Sequence, residues 1–310
     1  MSEDLIDYDP RYWHNITSPE EIDVSRYFEY DEDALFHLRR WLRLDEALPK
    51  TIVEVGCGSG YLTEKLLAMT PILREMVAVE PDDVLREYAA AKFYPKVKFM
   101  KGFVENLPLP DDFADLTVCH IVLHNLPDVC RAVSEMARVT ESGGIVAAIE
   151  PAGGGIQYYP DPKLNELEQK VSEAYGKGIW DLRLKVIDYT KDLKQKRARY
   201  AEVFHSCGVV NVEAHGILSV FLLSDPRRDR QEILSWLKKR LLVHENDWKR
   251  VRAILSRGGL PESLIQEHCQ TMKAYLEDLI GHPERISETH ELEMTSRTVT
   301  IGFKPRENRS

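Results

Sequence analysis

Between residues 51 and 149, five short apolar runs alternate with stretches of helical period, and that rhythm leaves few folds open. The runs fall at 51–55, 76–80, 97–100, 116–120 and 145–149, while 61–69, 82–93 and 129–139 place apolar residues three and four apart. Short β-branched runs suit strands buried on both faces, and intervening helices are what join parallel neighbours. The expected core is a parallel sheet with right-handed crossovers. Upstream, Ala34, Leu35, Leu38, Trp41 and Leu42 predict an amphipathic helix from Asp31 to about Leu44. Beyond Pro151 the rhythm stops: Gly153-Gly154-Gly155 reads as a hinge, 162–205 and 229–281 as helical, 209–223 as a strand broken at Gly216, and 297–303 as a last strand.

Composition narrows the class. Of 310 residues, 43% are hydrophobic, enough for a packed core and too many for a disordered polymer. The formal net charge of −10 argues against a polyanion-seeking protein. No apolar run approaches the roughly 20 residues that span a bilayer. The acidic start, Met1-Ser2-Glu3-Asp4, lacks the features of a secretory signal. Five cysteines without a C-x-x-C pair give no basis for a disulfide framework or a zinc knuckle, and no metal site is expected. A cytoplasmic α/β protein is expected.

The chemistry is concentrated in Glu54-Val55-Gly56-Cys57-Gly58-Ser59-Gly60, which follows the first strand and opens a helix. Glycines there let the backbone turn sharply and approach a ligand, and the helix start offers unpaired N–H groups. Glu80 closes the next strand, where a carboxylate can accept both hydroxyl hydrogens of a ribose. The dinucleotide fingerprint G-x-G-x-x-G would need its last glycine where Tyr61 stands. The spacing is G-x-G-x-G instead, so no pyrophosphate is required; a tight turn without a ligand is the plain structural alternative.

With Val79-Glu80-Pro81, Gly102-Phe103-Val104-Glu105-Asn106-Leu107-Pro108-Leu109-Pro110, Val122-Leu123-His124-Asn125-Leu126-Pro127-Asp128, Glu135-Met136-Ala137-Arg138-Val139 and Gly143-Gly144 following in order, residues 51–151 resemble a class I S-adenosylmethionine-dependent methyltransferase of the ubiquinone/menaquinone-type, small-molecule branch. The resemblance implies a Rossmann-like, seven-stranded mixed sheet, last strand antiparallel, with helices on both faces and helical lid insertions. The implied division is an N-terminal helical lid segment (1–50), a cofactor-binding core (51–155), a helical insertion (156–200), a core strand (201–224), a second helical insertion (225–290), and a last core strand with its tail (291–310). S-adenosyl-L-methionine is the implied cofactor. Gly56, Cys57, Gly58 and Gly60 would lie beneath its methionine portion and ribose, with no chemistry assigned to the Cys57 thiol. Glu54 would act on the amino group, and Glu80, followed by Pro81, on the ribose hydroxyls. Phe103 and Val104 would border the adenine, and His120 the cofactor's carboxylate region. Relatives commonly carry an acid at position 103; Phe103 cannot accept the adenine amino group and would cover the ring instead.

Methyl transfer from a sulfonium needs alignment and exclusion of water, and a base only when the acceptor arrives protonated. Residues past the fourth and fifth strands are the candidates: His124 as a base, against packing and capping, and Glu150 to orient the acceptor, against anchoring a loop. Tyr12, Tyr27 and Tyr159 are candidates to line an acceptor pocket, against simple packing. Seven Lys or Arg against two Asp between Arg183 and Arg199, and ten against four acids between Arg227 and Arg257, leave open docking on protein or RNA, though a solvated face is the commoner meaning. The expected activity is methyl transfer to a small molecule, without nucleic acid or membrane, and with the long insertion free to contact a second copy in a homodimer. The alternatives are a protein or RNA methyltransferase and a non-catalytic S-adenosylmethionine-binding module.

Overall fold

The computed structural model describes residues 13–45, 50–70, 72–153, 155–184 and 199–306. The chain forms two compact units: a sheet unit of Tyr30–Gly154, Tyr189–Ser219 and Ser296–Ser310, and a helical unit of Met1–Glu29, Gly155–Asp188 and Val220–Thr295.

Five parallel strands form the centre of the sheet: β1 (Lys50–Val55), β2 (Leu73–Val79), β3 (Lys98–Met100), β4 (Ala114–His120) and β5 (Thr140–Pro151), in the order β3-β2-β1-β4-β5. Among the described residues the sheet has eight strands rather than the seven expected. The additional one is β6 (Ile156–Tyr158), which pairs with the start of β8 (Leu292–Phe303). All three β6 residues are exposed, so no apolar alternation marks it in the sequence. β8 runs antiparallel to β5, from Ile145↔Phe303 to Pro151↔Arg297, and β7 (Val210–Leu222) pairs with β8. The expected interruption of β7 at Gly216 is absent: the strand runs unbroken from Val210 to Leu222, with open space where a Cβ on Gly216 would lie.

Both faces of the central strands are buried, and alternate residues divide between two apolar clusters. Ile52, Met76, Ala78, Leu116, Val118 and Ala147 face one way, with Leu38 of α2 (Glu32–Trp41) and Leu62 and Leu66 of α3 (Tyr61–Met69). Val53, Val55, Val77, Val79, Cys119 and Val146 face the other, with Val133 and Met136 of α5 (Val129–Val139) and Phe204 of α7 (Tyr200–Ser206). The crossover α4 (Asp83–Phe93) opens on Asp82, whose carboxylate accepts the N–H groups of Val84 and Leu85. Asp31 caps α2 in the same way, at 2.8 Å from the Ala34 nitrogen.

The helical unit is built on α1 (Pro19–Ser25), α6 (Pro162–Leu184), α8 (Arg230–Arg257) and α9 (Glu262–Gly281). Helices α6 and α8 touch backbone to backbone: a Cβ on Gly178 would fall 2.1 Å from the Ile254 carbonyl oxygen, and one on Gly258 would fall 1.8 Å from that of Ala174. Trp236 donates its indole N–H to the Val24 carbonyl and packs with Phe28 and Phe221. No helix among the described residues is long and apolar enough to cross a membrane.

The packing of α2 is directly testable. Leu38 is fully buried and Phe36, on the same helix, is 56% exposed. Leu38→Ala is expected to cost about 3 kcal/mol in urea unfolding, and Phe36→Ala under about 1 kcal/mol.

Candidate functional site

The carboxyl ends of β1, β2, β4 and β5 bring together most of the residues singled out from sequence. Gly56, Gly58 and Gly60 all adopt positive φ (+69°, +54° and +84°). Their side chains are excluded for two different reasons. A Cβ on Gly56 would lie 2.5 Å from Val122 Cγ2 and one on Gly60 2.7 Å from Phe93 Cε2, whereas one on Gly58 would meet nothing within 4 Å. The backbone conformation calls for glycine at all three positions, packing adds to that at Gly56 and Gly60, and Gly58 stands beside open space. Gly60 also opens α3 without a side-chain cap.

Glu80 ties the loop to the end of β2. Its Oε2 accepts the Gly58 N–H at 2.8 Å and its Oε1 accepts the Asp82 N–H at 3.0 Å. Each oxygen keeps a second lone pair, so the carboxylate can still accept two hydroxyl hydrogens. Glu54, within β1, accepts the Thr63 hydroxyl at 2.5 Å. Burial pushes the Glu54 carboxyl up to about 8, with the Thr63 hydroxyl opposing and Glu80 adding repulsion. Burial likewise raises Glu80 to about 7, with the Asp82 and Gly58 N–H groups opposing. Cys57 is buried among apolar neighbours, and burial pushes its thiol well up, so it stays protonated.

His120 ends β4 and His124 follows it. The His120 ring lies against Tyr61, and its Nε2 is 2.9 Å from the Tyr30 hydroxyl. His124 sits in a 3-10 turn (Leu123–Asn125), its Nδ1 2.8 Å from Glu150 Oε2. Glu150 is fully buried and also accepts the N–H groups of Val122, Leu123 and His124. Of the two roles weighed for Glu150, the geometry matches anchoring: its oxygens are engaged by the loop and by His124, not presented to a ligand. Val104 is buried and Phe103 half-buried, the two following β3; Pro81 is half-buried beside Glu80.

The tyrosines fare differently. Tyr159, expected to line a pocket, is instead buried in the core of the helical unit, its hydroxyl accepting from Arg240 at 2.6 Å and Gln157 at 2.7 Å. Tyr27, in the same unit, packs edge-on against Phe28 with the Lys239 ammonium over its ring. Tyr12 lies outside the described residues. Sequence reasoning missed Tyr30 and Thr63. Tyr30 stands 90 positions from its partner histidine, and nothing local marks it. Thr63 lies one turn into α3, within reach of β1 once the glycine loop folds back, and a hydroxyl there was the available signal.

A methyltransferase-domain family matches residues 53–148, the span that carries the glycine loop, Glu80 and both histidines. These residues form a class I S-adenosylmethionine-dependent methyltransferase domain. The chain is 32% identical over 120 residues to the uncharacterized methyltransferase YcgJ of Bacillus subtilis, a match covering 37% of this chain and 44% of that protein. It is 29% identical over 103 residues to the ubiquinone/menaquinone biosynthesis C-methyltransferase UbiE of Campylobacter jejuni, covering 32% of this chain and 43% of that one. Both matches span less than half of the relative's length. The crystal structure of YcgJ aligns over 90% of this chain and 100% of its own, at 16% identity and a TM-score of 0.48.

The methyltransferase domain fits its cofactor on three counts: open space beside Gly58, spare acceptor capacity on Glu80, and a buried acid, Glu54, suited to an ammonium group. The raised carboxyls set a pH dependence. Glu54 and Glu80 keep protons in the folded chain at pH values where unfolded carboxyls have lost them, so folding binds protons and stability falls as pH rises. The window runs from the ordinary value of 4.5 to about 8. Urea midpoints measured across it should decline for the parent chain, and Glu54→Gln should flatten the decline.

Proposed function

We propose that this chain transfers the methyl group of S-adenosylmethionine to a small-molecule acceptor. The observation that carries the reading is the Gly58 N–H bonded to Glu80, which aims a buried carboxylate with spare lone pairs along the glycine loop. S-adenosylmethionine supplies a sulfonium-bound methyl carbon. In this reading Glu80 accepts the ribose hydroxyls, Glu54 faces the cofactor's ammonium, and Phe103 with Val104 borders the adenine.

His124 is the proposed base. A proton on Nδ1 directed at Glu150 leaves Nε2 as the basic nitrogen. Glu150 is a positioning residue, holding both the ring and the backbone of its turn. Tyr30 and His120 form a second polar pair past β4, placed to border the methyl group or the acceptor.

The basic stretches favour a small acceptor over a polymer. Arg227, Arg240, Arg250, Arg252 and Arg257 each pair with a carboxylate of this chain, and Arg228 stacks over Phe28 and Phe221. Charges neutralised internally make a poor track for a phosphate backbone. Most of the 183–199 stretch lies outside the described residues. The likeness to UbiE, a ubiquinone/menaquinone biosynthesis C-methyltransferase, supports the same acceptor class.

Calorimetry with S-adenosylmethionine tests the cofactor assignment. One site per chain is expected, with Glu80→Ala weakening binding about thirtyfold, the scale of lost hydrogen bonds to a charged group. Affinity should rise from about pH 6 to about pH 8, because a cation beside Glu54 favours its ionised form. No heat at saturating ligand would overturn the reading. For the base, His124→Asn should lower kcat about a hundredfold with an unchanged cofactor Kd and abolish the acidic limb of the pH–rate profile. An intact acidic limb would remove His124 from that role.

A further inference from the structure

The sheet unit carries a second concavity, away from the strand ends that bear the glycine loop. It encloses about 300 Å³, at the small end of ligand pockets, and is lined by His37, Arg40, Trp41, Arg43, Glu213 and Phe303 among others. Strand register places it: Phe303 pairs with Ile145, whereas Glu150 at the cofactor end pairs with Thr298. Five residues of strand put roughly 17 Å between the two positions.

Two of the cations in this groove have no carboxylate partner among the described residues. Three arginines stand at the end of α2. Arg39 is tied to Asp45 at 2.5 Å, but neither Arg40 nor Arg43 pairs with a carboxylate among the described residues. Instead the Arg43 guanidinium lies over the Phe303 ring at 4.4 Å, and that of Arg40 over Phe36 at 5.8 Å. A guanidinium held by a ring face keeps its N–H donors available in its own plane. The acid at the rim, Glu213, is 3.3 Å from His215 Nε2, and that ring stacks on Trp41 at 4.3 Å. His37 also stacks on Trp41, at 5.4 Å. The groove thus has rigid aromatic walls and two available guanidinium groups.

The backbone adds a second, independent observation. Arg43 has φ +53°, directly after the bonds that close α2 (Arg43 N–H to the Arg40 carbonyl, Leu44 N–H to the Arg39 carbonyl). That position ordinarily belongs to glycine. Here a guanidinium is kept at a place where the backbone favours no side chain.

We propose that this groove binds an organic anion, a carboxylate or phosphate on a flat apolar body, through Arg40 and Arg43. The site is separate from the methyl-transfer centre and does not rest on that reading.

The test is calorimetry of the full chain with 2-naphthoate, 1-naphthyl phosphate, neutral 2-naphthylmethanol and inorganic phosphate. Saturable binding of at least one naphthyl anion is expected, with the alcohol and inorganic phosphate each about tenfold weaker or more. The stronger naphthyl ligand identifies the acidic group. Arg43→Gly removes the guanidinium while relieving the backbone, so it should lose about tenfold in affinity yet unfold no earlier than the parent. Arg40→Gln should lose a similar factor; Arg39→Gln and Glu80→Ala should bind as the parent does. No saturable heat from either anion up to about 5 mM, or unchanged binding by Arg43→Gly, overturns the proposal.

Discussion

Much of the architecture at the strand ends depends on burying carboxylates without leaving them unsatisfied. A buried carboxylate costs several kcal/mol unless donors surround it, so each one dictates the conformation of whatever supplies those donors. Glu150 shows the logic most fully. It gathers three consecutive backbone N–H groups and the His124 ring, and in doing so fixes the turn after β4. Glu80 does the same for the glycine loop, from two backbone donors. Glu54 takes its donors from Thr63 alone, and burial together with repulsion from Glu80 raises its carboxyl. The least satisfied acid is the one with most to gain from a cationic ligand.

The glycines are the counterpart of that constraint. Gly56 and Gly60 allow Val122 and Phe93 to close against the loop, which brings the turn after β4 and the end of α4 up to the loop of β1. The loop is therefore held by Val122 on one side and the end of α4 on another, and is tied by Glu80. Open space adjoins Gly58 alone of the three. Packing against the other two makes this stretch rigid before any ligand arrives, which lowers the conformational cost of binding.

The parallel core was legible because its signals are local. Each strand is a short apolar run, each crossover keeps helical spacing, and the glycine loop, Glu80 and the histidines fall at the junctions between them. What escaped was non-local. The start of β8 and its partner β6 are defined by pairing, and β6 has no buried face to leave a pattern. Tyr30 meets His120 only through the fold. Tyr159 misled for the opposite reason. An aromatic pair next to a glycine hinge suggests a pocket rim, yet the hydroxyl of the second tyrosine completes a network with Arg240, Glu291 and Tyr275 deep in the helical unit.

That network also clarifies why net charge was a poor guide to the basic stretches. Three arginines of α8 lie in a run that reads as strongly cationic, but their carboxylate partners sit outside it: Arg240 takes Glu291, Arg252 takes Glu262, and Arg257 takes Asp181. Counting charge along a segment measures only one side of such pairs. The same reasoning applied to the end of α2 gives the opposite result, since Arg39, Arg40 and Arg43 make no long basic run, yet two of them have no carboxylate partner among the described residues. A cation's availability is a property of the fold, and an anion-recognising surface is found by following each guanidinium to its partner rather than by summing along the sequence.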